Sequence, residues 1–587
     1  MIRKILYIII TGLCLTLNSC INDFLDRKPL DVISDKDVWG NESAILAYLA
    51  NMYDNVQVEP HAWLTASEGF LSHYTDESLR AYTWGIPYNP TFPDSYLANW
   101  EYGKVRVINE FIEKIATTSV SQSVKDRYLA EAYFIRAFNY FVMAKRYGGV
   151  PLVKEAQKYE GVSIDDLKVS RSTEEETWNF IAEDLDKAIA GLPEDLSGSE
   201  QYRASKYAAY ALKSRAMLYA ASIARYGNVQ LNGLVGIPAD RASDYFNRSL
   251  AASEAIINSG KYSLYDKNPN DRAANFQNLF VDRTMHEEAI FSKAYSADKG
   301  HSFDYYTAPE SFKVSYGDGI GPTLEFVEAF EYTDGRPGTL TTDDANGNPI
   351  YYDLPEDIFE GKDPRFFASV MYPNCPWQGG NVVIRRGIIG SDGVKVPAAA
   401  YSDRFPEDPS YTLAGKDGMP IQGDATRTGF LLKKYLDPVN LRLAGNRSTT
   451  NFLVFRYAET LLNYAEAAIE LNRPNDALPK LNAVRSRAGI QFKASVTLDD
   501  VRKERKVELA FENLRYWDLV RWRIATQVMN NTVFGALLPW LDYKTGKYVF
   551  EKAPNTLNSA KTFLERNYYQ PIPNVDQNDA LIQNPGF

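Results

Sequence analysis

The sequence predicts a mainly α-helical protein built from packed helix pairs, with a large irregular region of loops and short strands. Helical periodicity is concentrated in two blocks, about residues 43–259 and 451–528, where apolar side chains recur every three to four positions. Between and after these blocks, at about 261–450 and 530–587, glycine, proline and aromatic residues dominate and long periodic segments are absent. We expect a single domain over 36–587 in which the helices form the scaffold and the irregular region carries the function.

Four helices of the first block can be delimited from the residues at their ends. A helix over 125–147 is followed by two glycines and then a proline. A second helix begins at a Ser172/Thr173 cap, has three glutamates in its first turn, and ends before a proline. Two further helices are predicted at 205–224 and 242–259.

The helices also show the spacing of tetratricopeptide repeats. With Leu461 at position 4 of a 34-residue repeat, its other packing positions are filled by Tyr464, Ala465, Ala468, Ala477, Leu481 and Val484. Ile181, Leu185 and Ala188 fit the second helix of another repeat. Small residues at these positions allow two helices to approach closely. The alternative is an ordinary antiparallel helix pair, which small residues would also suit.

The N-terminus has the anatomy of a signal peptide over residues 1–19. Arg3 and Lys4 precede an apolar run at 5–17, which is shorter than the roughly 20 residues that a membrane-spanning helix needs. The Leu-Asn-Ser-Cys sequence that ends at Cys20 looks like a bacterial lipobox, so we predict cleavage before Cys20 and attachment of a diacylglycerol to its thiol. The alternative is an ordinary secreted protein with a stray cysteine. Residues 20–35 would form the lipidated N-terminus and a short spacer.

Composition disfavours nucleic-acid binding, disulfides and metal sites. The chain has 64 Lys plus Arg against 75 Asp plus Glu, and the basic residues form no run that could follow a phosphate backbone. Cys14 leaves with the signal peptide and Cys20 carries the lipid, so Cys375 has no partner for a disulfide or a zinc site. The four histidines stand at no metal-ligand spacing, and we predict no metal and no cofactor.

The sequence contains none of the common catalytic motifs. HExxH, GxSxG and GxxxxGK[ST] are all missing. A two-carboxylate glycosidase stays open at this point, because the separation of the two carboxyl groups is a property of the fold. The aromatic content of 13%, led by 39 tyrosines, instead favours a binding surface.

Nine segments, in order along the chain, together resemble the SusD/RagB family of surface nutrient-binding lipoproteins of Bacteroidetes. They are CINDFLD at 20–26, EAYFIRAFNYFVMAKRYGGVPL at 131–152, the segment 251–265 ending in SGKYSLY, PTLEFVEAFEYTDG at 322–335, DPRFFASVMY at 363–372, LLKKYLDP at 431–438, RYAETLLNYAEA at 456–467, the segment 502–522 containing ERKVELAFENLRYWDLVRW, and the tail 569–587 with QPIPNVDQN and QNPGF.

This resemblance implies a scaffold of about four tetratricopeptide-like helix pairs and an irregular region that forms the ligand face. It implies attachment to the outer membrane, exposure at the cell surface, and a partner, a TonB-dependent porin of the SusC type, over which the lipoprotein sits as a lid. Members of the family capture oligosaccharides, and some capture peptides. They are not known as enzymes.

Candidate sugar-binding residues are aromatic side chains in irregular segments, since a pyranose stacks its C–H face on a ring and its hydroxyls need polar neighbours. Most tryptophans on periodic helices are expected in the core instead. The first group lies within ten residues in a proline-bounded loop and comprises Arg80, Tyr82, Trp84, Tyr88 and Asn89. Trp377 follows DPRFF, where related proteins often place a stacking aromatic, and Tyr306 lies in the aromatic stretch 301–306. For each of these, the alternative is a loop aromatic packed into the core.

Three functions follow from these observations. The first is capture of a neutral or mildly charged oligosaccharide and its transfer to the porin. The second, within the same family, is capture of a peptide, which would favour exposed backbone edges and a less aromatic site. The third is cleavage of a polysaccharide.

Overall fold

The structure is a computed structural model that describes residues 39–56, 58–59, 70–82, 97–158, 161, 163, 165–557 and 559–587. The predicted signal peptide, Cys20 and the spacer up to residue 35 lie outside the described residues. Among the described residues, no helix combines the length and the apolarity needed to cross a membrane.

The described residues form a mainly helical protein, as the sequence predicts. Its fifteen α-helices are α1 (Glu42–Asp54), α2 (Tyr102–Ile115), α3 (Gln122–Tyr147), α4 (Glu174–Gly191), α5 (Lys206–Tyr226), α6 (Ala242–Asn258), α7 (Arg272–Val281), α8 (Phe303–Thr307), α9 (Leu324–Val327), α10 (Pro364–Ser369), α11 (Tyr457–Glu470), α12 (Pro474–Ala488), α13 (Leu498–Glu508), α14 (Arg515–Arg521) and α15 (Ala525–Met529).

The local signals that delimit the first-block helices act as expected. Thr173 caps α4 in a capping box, since its hydroxyl accepts from the Glu176 backbone N–H at 3.1 Å and the Glu176 carboxylate accepts from the Thr173 N–H at 2.8 Å. The Ser205 hydroxyl caps α5 by accepting from the Ala208 backbone N–H at 3.2 Å, without a capping box. Helix α3 ends at Gly148, whose φ of 75° is one that residues with side chains rarely adopt.

Consecutive helices pack as pairs, and the two helical blocks join into one body. Helices α3 and α4, α5 and α6, and α11 and α12 contact each other, and α6 also packs on α11 although about 200 residues separate them. A buried hydrogen-bond chain crosses this junction: the Ser214 and Ser253 hydroxyls lie 2.7 Å apart, and the Asn463 amide donates to Ser214 at 3.1 Å. The small repeat positions lie at these contacts fully buried, namely Ala188, Ala465, Ala468 and Ala477.

The irregular region contributes short strands rather than one large sheet. The strands are β1 (Ser78–Arg80), β2 (Ala289–Lys293), β3 (Ile320–Pro322), β4 (Val370–Met371), β5 (Cys375–Trp377), β6 (Gly380–Val382), β7 (Gly387–Ile389), β8 (Lys395–Pro397), β9 (Leu431–Leu432), β10 (Phe452–Arg456), β11 (Thr532–Val533), β12 (Gly535–Asp542), β13 (Tyr548–Pro554) and β14 (Ala560–Lys561).

Most strands pair in twos, and the largest sheet has four strands in the order β13-β12-β7-β8. Its longest pairing is antiparallel, between β12 and β13, whereas β12 and β7 run parallel. The antiparallel pair β1–β3 joins segments about 240 residues apart and places Arg80 opposite Ile320. This pairing positions the candidate site described below.

Buried ion pairs tie the irregular region to the helices. The Arg456 guanidinium lies 2.7 Å from carboxylate oxygens of Glu288, Glu508 and Glu512, and Arg365 reaches Glu508 at 2.8 Å. All five side chains are buried. Charged groups removed from water are tolerated only when they are paired and hydrogen-bonded. These ion pairs therefore fix the relative positions of the chain segments that carry them.

Candidate functional site: an exposed tyrosine cluster

Three tyrosines from one short segment meet at the surface of the irregular region. Tyr305 and Tyr306 lie on α8, and Tyr316 lies in the loop that follows. Their ring centroids are 5.1 Å (Tyr305–Tyr306), 5.5 Å (Tyr305–Tyr316) and 5.6 Å (Tyr306–Tyr316) apart, with the rings inclined to one another. Tyr316 is 41% exposed, and the other two are partly buried. We call Tyr305, Tyr306 and Tyr316 the tyrosine cluster.

The cluster depends on a glycine pair that lets the loop fold back onto α8. The Asp318 N–H donates to the Ala308 carbonyl at 2.9 Å, and the Gly319 N–H donates to the Tyr306 carbonyl at 2.8 Å. A Cβ on Gly317 would lie 2.5 Å from the Ala308 oxygen, and one on Gly319 would lie 2.3 Å from the Tyr306 oxygen. Only glycine fits at such approaches, so the Gly-Asp-Gly sequence holds Tyr316 against the helix.

Tyr82 supports the cluster from below. The β1–β3 pair brings it to the loop, where its hydroxyl donates to the Gly317 carbonyl at 2.8 Å and its ring meets the Tyr316 ring edge-on at 6.2 Å. Tyr82 is fully buried, and burial raises the pKa of its hydroxyl above the usual range. The Arg80 guanidinium lies 5.3 Å from the Tyr82 ring and is also buried. Both predicted residues are therefore buried, and the Tyr82 hydroxyl also lies 3.3 Å from the Tyr306 carbonyl oxygen.

Two buried carboxyl groups lie next to the cluster. Burial raises the pKa of Asp318 well above its usual range, and the nearby carboxyls of Asp417 and Glu310 add to the shift. Burial likewise raises the pKa of Asp304 to about 6, while its Oδ1 accepts from the Asp437 N–H at 2.8 Å. The charge of Glu310 is balanced by Lys313 at 2.5 Å. Burial therefore favours the uncharged form of the Asp318 carboxyl beside the cluster.

A surface segment, residues 437–447, forms a rim beside Tyr305. The Ser302 hydroxyl donates to the Asn446 side chain at 2.9 Å and accepts from its backbone N–H at 3.0 Å. The rim carries two strongly exposed apolar side chains, Val439 at 78% and Leu441 at 61%. The Gln378 amide donates to the Asp437 and Asn440 carbonyls at 2.7 and 2.9 Å, so the β5–β6 hairpin supports the rim.

Trp377 does not reach this surface in the structure. It lies in β5 opposite Gly380, is 5% exposed, and belongs to the main hydrophobic core. Its neighbour Gln378, rather than the indole ring, contacts the rim. The sequence does not separate these two outcomes, because an aromatic residue in a short hairpin can face either side.

Trp84, Tyr88 and Asn89 lie outside the described residues, and Tyr82 is the last described residue before them. Sequence reasoning named Tyr306 but missed the partnership of Tyr305 and Tyr316 with it. The available signal was the sequence Ser-Tyr-Gly-Asp-Gly at 315–319, where two glycines around an aspartate mark a tight return of the chain.

The described histidines and acidic residues offer no metal site. His73, His286 and His301 are buried, each with a ring nitrogen within hydrogen-bonding distance of a backbone carbonyl oxygen. Burial lowers the pKa of His301 to about 4. No group of three His, Cys, Asp or Glu side chains among the described residues could hold a metal ion.

Comparison with known proteins gives consistent family matches. The model of the SusD family matches residues 287–587, just over half of the chain, and a model described as "Starch-binding associating with outer membrane" matches residues 23–218. A SusD-like protein of Bacteroides ovatus is 24% identical over 99% of this chain and 95% of its own length. SusD-like protein P38 of Formosa agariphila is 26% identical over 87% of this chain and 90% of its own length.

Solved structures share the whole fold. A SusD-like protein of Bacteroides fragilis superposes with a TM-score of 0.71 at 26% identity, covering 96% of this chain and all of its own. A SusD-like carbohydrate-binding protein of the same species has a TM-score of 0.69 at 23% identity, covering 93% of this chain and 99% of its own. A laminarin-binding SusD-like protein gives 0.61 at 20% identity, covering 94% of this chain and all of its own.

These matches agree with the resemblance seen in the sequence. The second family model describes its members as starch-binding and associated with the outer membrane, and SusD-like proteins are a non-catalytic family. The polysaccharide-cleaving alternative is therefore set aside. The chain belongs to the SusD family.

Proposed function

We propose that this protein captures a neutral oligosaccharide at the tyrosine cluster and passes it to a TonB-dependent SusC-like porin. The observation that carries the proposal is the cluster itself, three contacting tyrosine rings at the surface with Tyr316 41% exposed. Relatives described as carbohydrate-binding and laminarin-binding support the ligand class.

The chemistry of the cluster suits a sugar. A tyrosine ring offers an apolar face to the C–H groups of a pyranose, and its hydroxyl can exchange hydrogen bonds with sugar hydroxyls. The rings are inclined to each other by 47–74°, so they form a broken surface that fits several sugar units better than one flat molecule. The paired charge of Glu310 and Lys313 and the raised pKa of Asp318 favour a neutral ligand over a charged one.

The roles of the individual residues follow from their burial. Tyr306, with Tyr305 and Tyr316, would contact the sugar directly. Arg80 and Tyr82 would position the cluster from below. We retain Trp84, Tyr88 and Asn89 as further contacts, since they follow Tyr82 directly in the chain. Trp377 could contribute only if the β5–β6 hairpin moved, because its ring is buried.

We further propose that Cys20 carries the lipid that keeps the protein beside its porin at the cell surface. The lipobox-like sequence at 17–20 and the outer-membrane association of the family support this step. A Cys20→Ala variant should bind glycan in solution as the wild type does but fail to support uptake by cells. Unimpaired uptake would contradict the tether.

Affinity electrophoresis on a polysaccharide panel tests the binding site. Laminarin, soluble starch, xylan and galactomannan serve as neutral probes, and polygalacturonate as an acidic one. A Tyr305→Ala/Tyr316→Ala variant should lose at least about tenfold in affinity for the neutral glycan that retards the wild type, equivalent to about 1.4 kcal/mol. Tyr351→Ala is the matched control, because Tyr351 is 48% exposed in a segment that pairs with β13. Unchanged binding of the double variant would place the site elsewhere.

A further inference from the structure

A second concave site lies at the start of α2, between the chain that enters this helix and the C-terminal tail. It is a groove of about 280 Å³ that shares no residue with the tyrosine cluster. We call it the α2 groove, and the side chains that matter for its chemistry are Trp100, Tyr102, Gln157, Lys168, Val169 and Asn578. Its volume is close to the lower end of the roughly 300–1,000 Å³ of ordinary small-molecule sites.

One wall of the groove is a rigidly held aromatic pair. The Trp100 ring centroid lies 5.1 Å from that of Tyr102 and 5.0 Å from that of Tyr147, which it meets edge-on. Tyr147 is fully buried, and the Tyr102 hydroxyl donates to the Pro151 carbonyl at 2.7 Å. Trp100 is thus fixed from two sides while one part of its ring lines the groove, so little side-chain entropy would be lost on binding.

Among the described residues, three side chains that line the groove have polar atoms without a protein partner. Within the part of the chain that the structure describes, the Trp100 indole N–H has no acceptor. The Gln157 amide nitrogen donates to the Leu167 carbonyl at 2.6 Å, which leaves its oxygen available, and the Asn578 oxygen accepts from the Ala580 N–H at 3.1 Å, which leaves its nitrogen available. The residues that line the groove therefore offer two donors and one acceptor besides the aromatic wall.

Among the described residues that line the groove, no charge is left uncompensated. Lys168 is the one ionisable cation among them, and its ammonium lies 2.8 Å from Asp165 and 2.9 Å from Asp579. An anionic ligand would have to compete with both carboxylates for this ammonium. A neutral ligand with an apolar face and several hydroxyls therefore matches the aromatic wall, the polar side chains and the charge balance of the α2 groove.

From this combination we infer that the α2 groove is a second binding site for a neutral pyranose, stacked on Trp100 and hydrogen-bonded by Gln157 and Asn578. The inference rests on the glycan-binding function proposed above and adds a site at the start of α2. The protein would then hold a glycan at two separate places, the tyrosine cluster and the α2 groove.

Two variants test the groove in opposite ways. Trp100→Ala removes the stacking wall, and Val169→Trp fills the groove while leaving the wall in place. Val394→Trp is the control for a surface tryptophan, since Val394 is 58% exposed beside β8. Each variant is made in the full chain, both alone and in the Tyr305→Ala/Tyr316→Ala background, and its thermal midpoint and circular dichroism verify the fold.

The measurement is affinity electrophoresis on the same polysaccharide panel. We expect Trp100→Ala and Val169→Trp each to weaken wild-type retention about threefold, and to abolish the retention that the double tyrosine variant keeps, while Val394→Trp changes neither. If wild type binds but both groove variants bind equally well, the inference is wrong and the proposed function stands. If Trp100→Ala loses retention but Val169→Trp keeps it, the inference is also wrong, because a groove filled by the introduced tryptophan could not hold a sugar. If no polysaccharide retards the wild type, the proposed function fails, and the second site fails with it.

Discussion

The helical body and the irregular region are held together by different kinds of interaction. In the helical body, small and branched apolar residues such as Ala465, Ala468 and Leu481 are fully buried at regular intervals, and their contacts follow from helical spacing. In the irregular region, the site is built by contacts between distant segments, such as Tyr82 with Gly317. The packing of the helical body therefore follows from local periodicity, whereas the ligand face depends on a few long-range contacts.

The largest effect is expected where the two regions are joined. Arg456→Ala would leave Glu288, Glu508 and Glu512 buried without their shared cation, and breaking such a group costs about 3–5 kcal/mol. We expect a large fall in the urea midpoint, or no recovery of folded protein. Arg473→Ala is the control, since its pair with Asp476 is about half exposed. A loss below about 1 kcal/mol, the range of exposed pairs, would show that the network does not hold the regions together.

One type of substitution separates the two regions directly. Leu481→Ala removes a fully buried side chain of α12 and should destabilise the protein by about 2–5 kcal/mol, because a cavity remains. Leu441→Ala on the rim, where the side chain is 61% exposed, should change stability by less than about 0.5 kcal/mol. Thermal unfolding of both variants measures the contrast. Equal losses would contradict the division between body and ligand face.

A smaller, pH-dependent effect is expected at the edge of the tyrosine cluster. The pKa of Asp304 is about 6 in the folded protein, above the 3.8 of an unperturbed carboxyl, so the folded state binds this proton more tightly. Its contribution is present in full below about pH 4 and is lost as pH rises to about 6, by roughly 2–3 kcal/mol.

Asp304→Asn keeps an acceptor for the Asp437 N–H and removes the titration. The difference in unfolding free energy between variant and wild type should therefore change as pH rises from 4 through the folded pKa and become constant above about pH 7. A difference that is constant from pH 4 upwards would show that Asp304 keeps an ordinary pKa in the folded protein.

The extent to which sequence predicts this molecule follows the same division. The helix ends at Thr173, Ser205 and Gly148 could be read from local chemistry, because caps and breakers act within a few residues. The cluster could be reached only in part. The aromatic stretch at 301–306 indicates Tyr306, but its contact with Tyr316 depends on the return of the chain at Gly317 and Gly319, which local spacing does not encode.

The burial of Arg80, Tyr82 and Trp377 was also beyond sequence reasoning. Tyr82 is covered because β1 pairs with a strand about 240 residues away, and Trp377 faces the core because of the orientation of its hairpin. A polar or aromatic residue in a loop has the same sequence pattern whether it contacts ligand or supports the residues that do.

The most direct test of the central claim is a crystal structure of the protein with an oligosaccharide of the glycan that retards it most. We expect a sugar ring within about 4 Å of the tyrosine cluster, the distance of van der Waals contact, with Tyr316 among the contacting residues. An occupied site elsewhere, with Tyr305, Tyr306 and Tyr316 free of sugar, would contradict it.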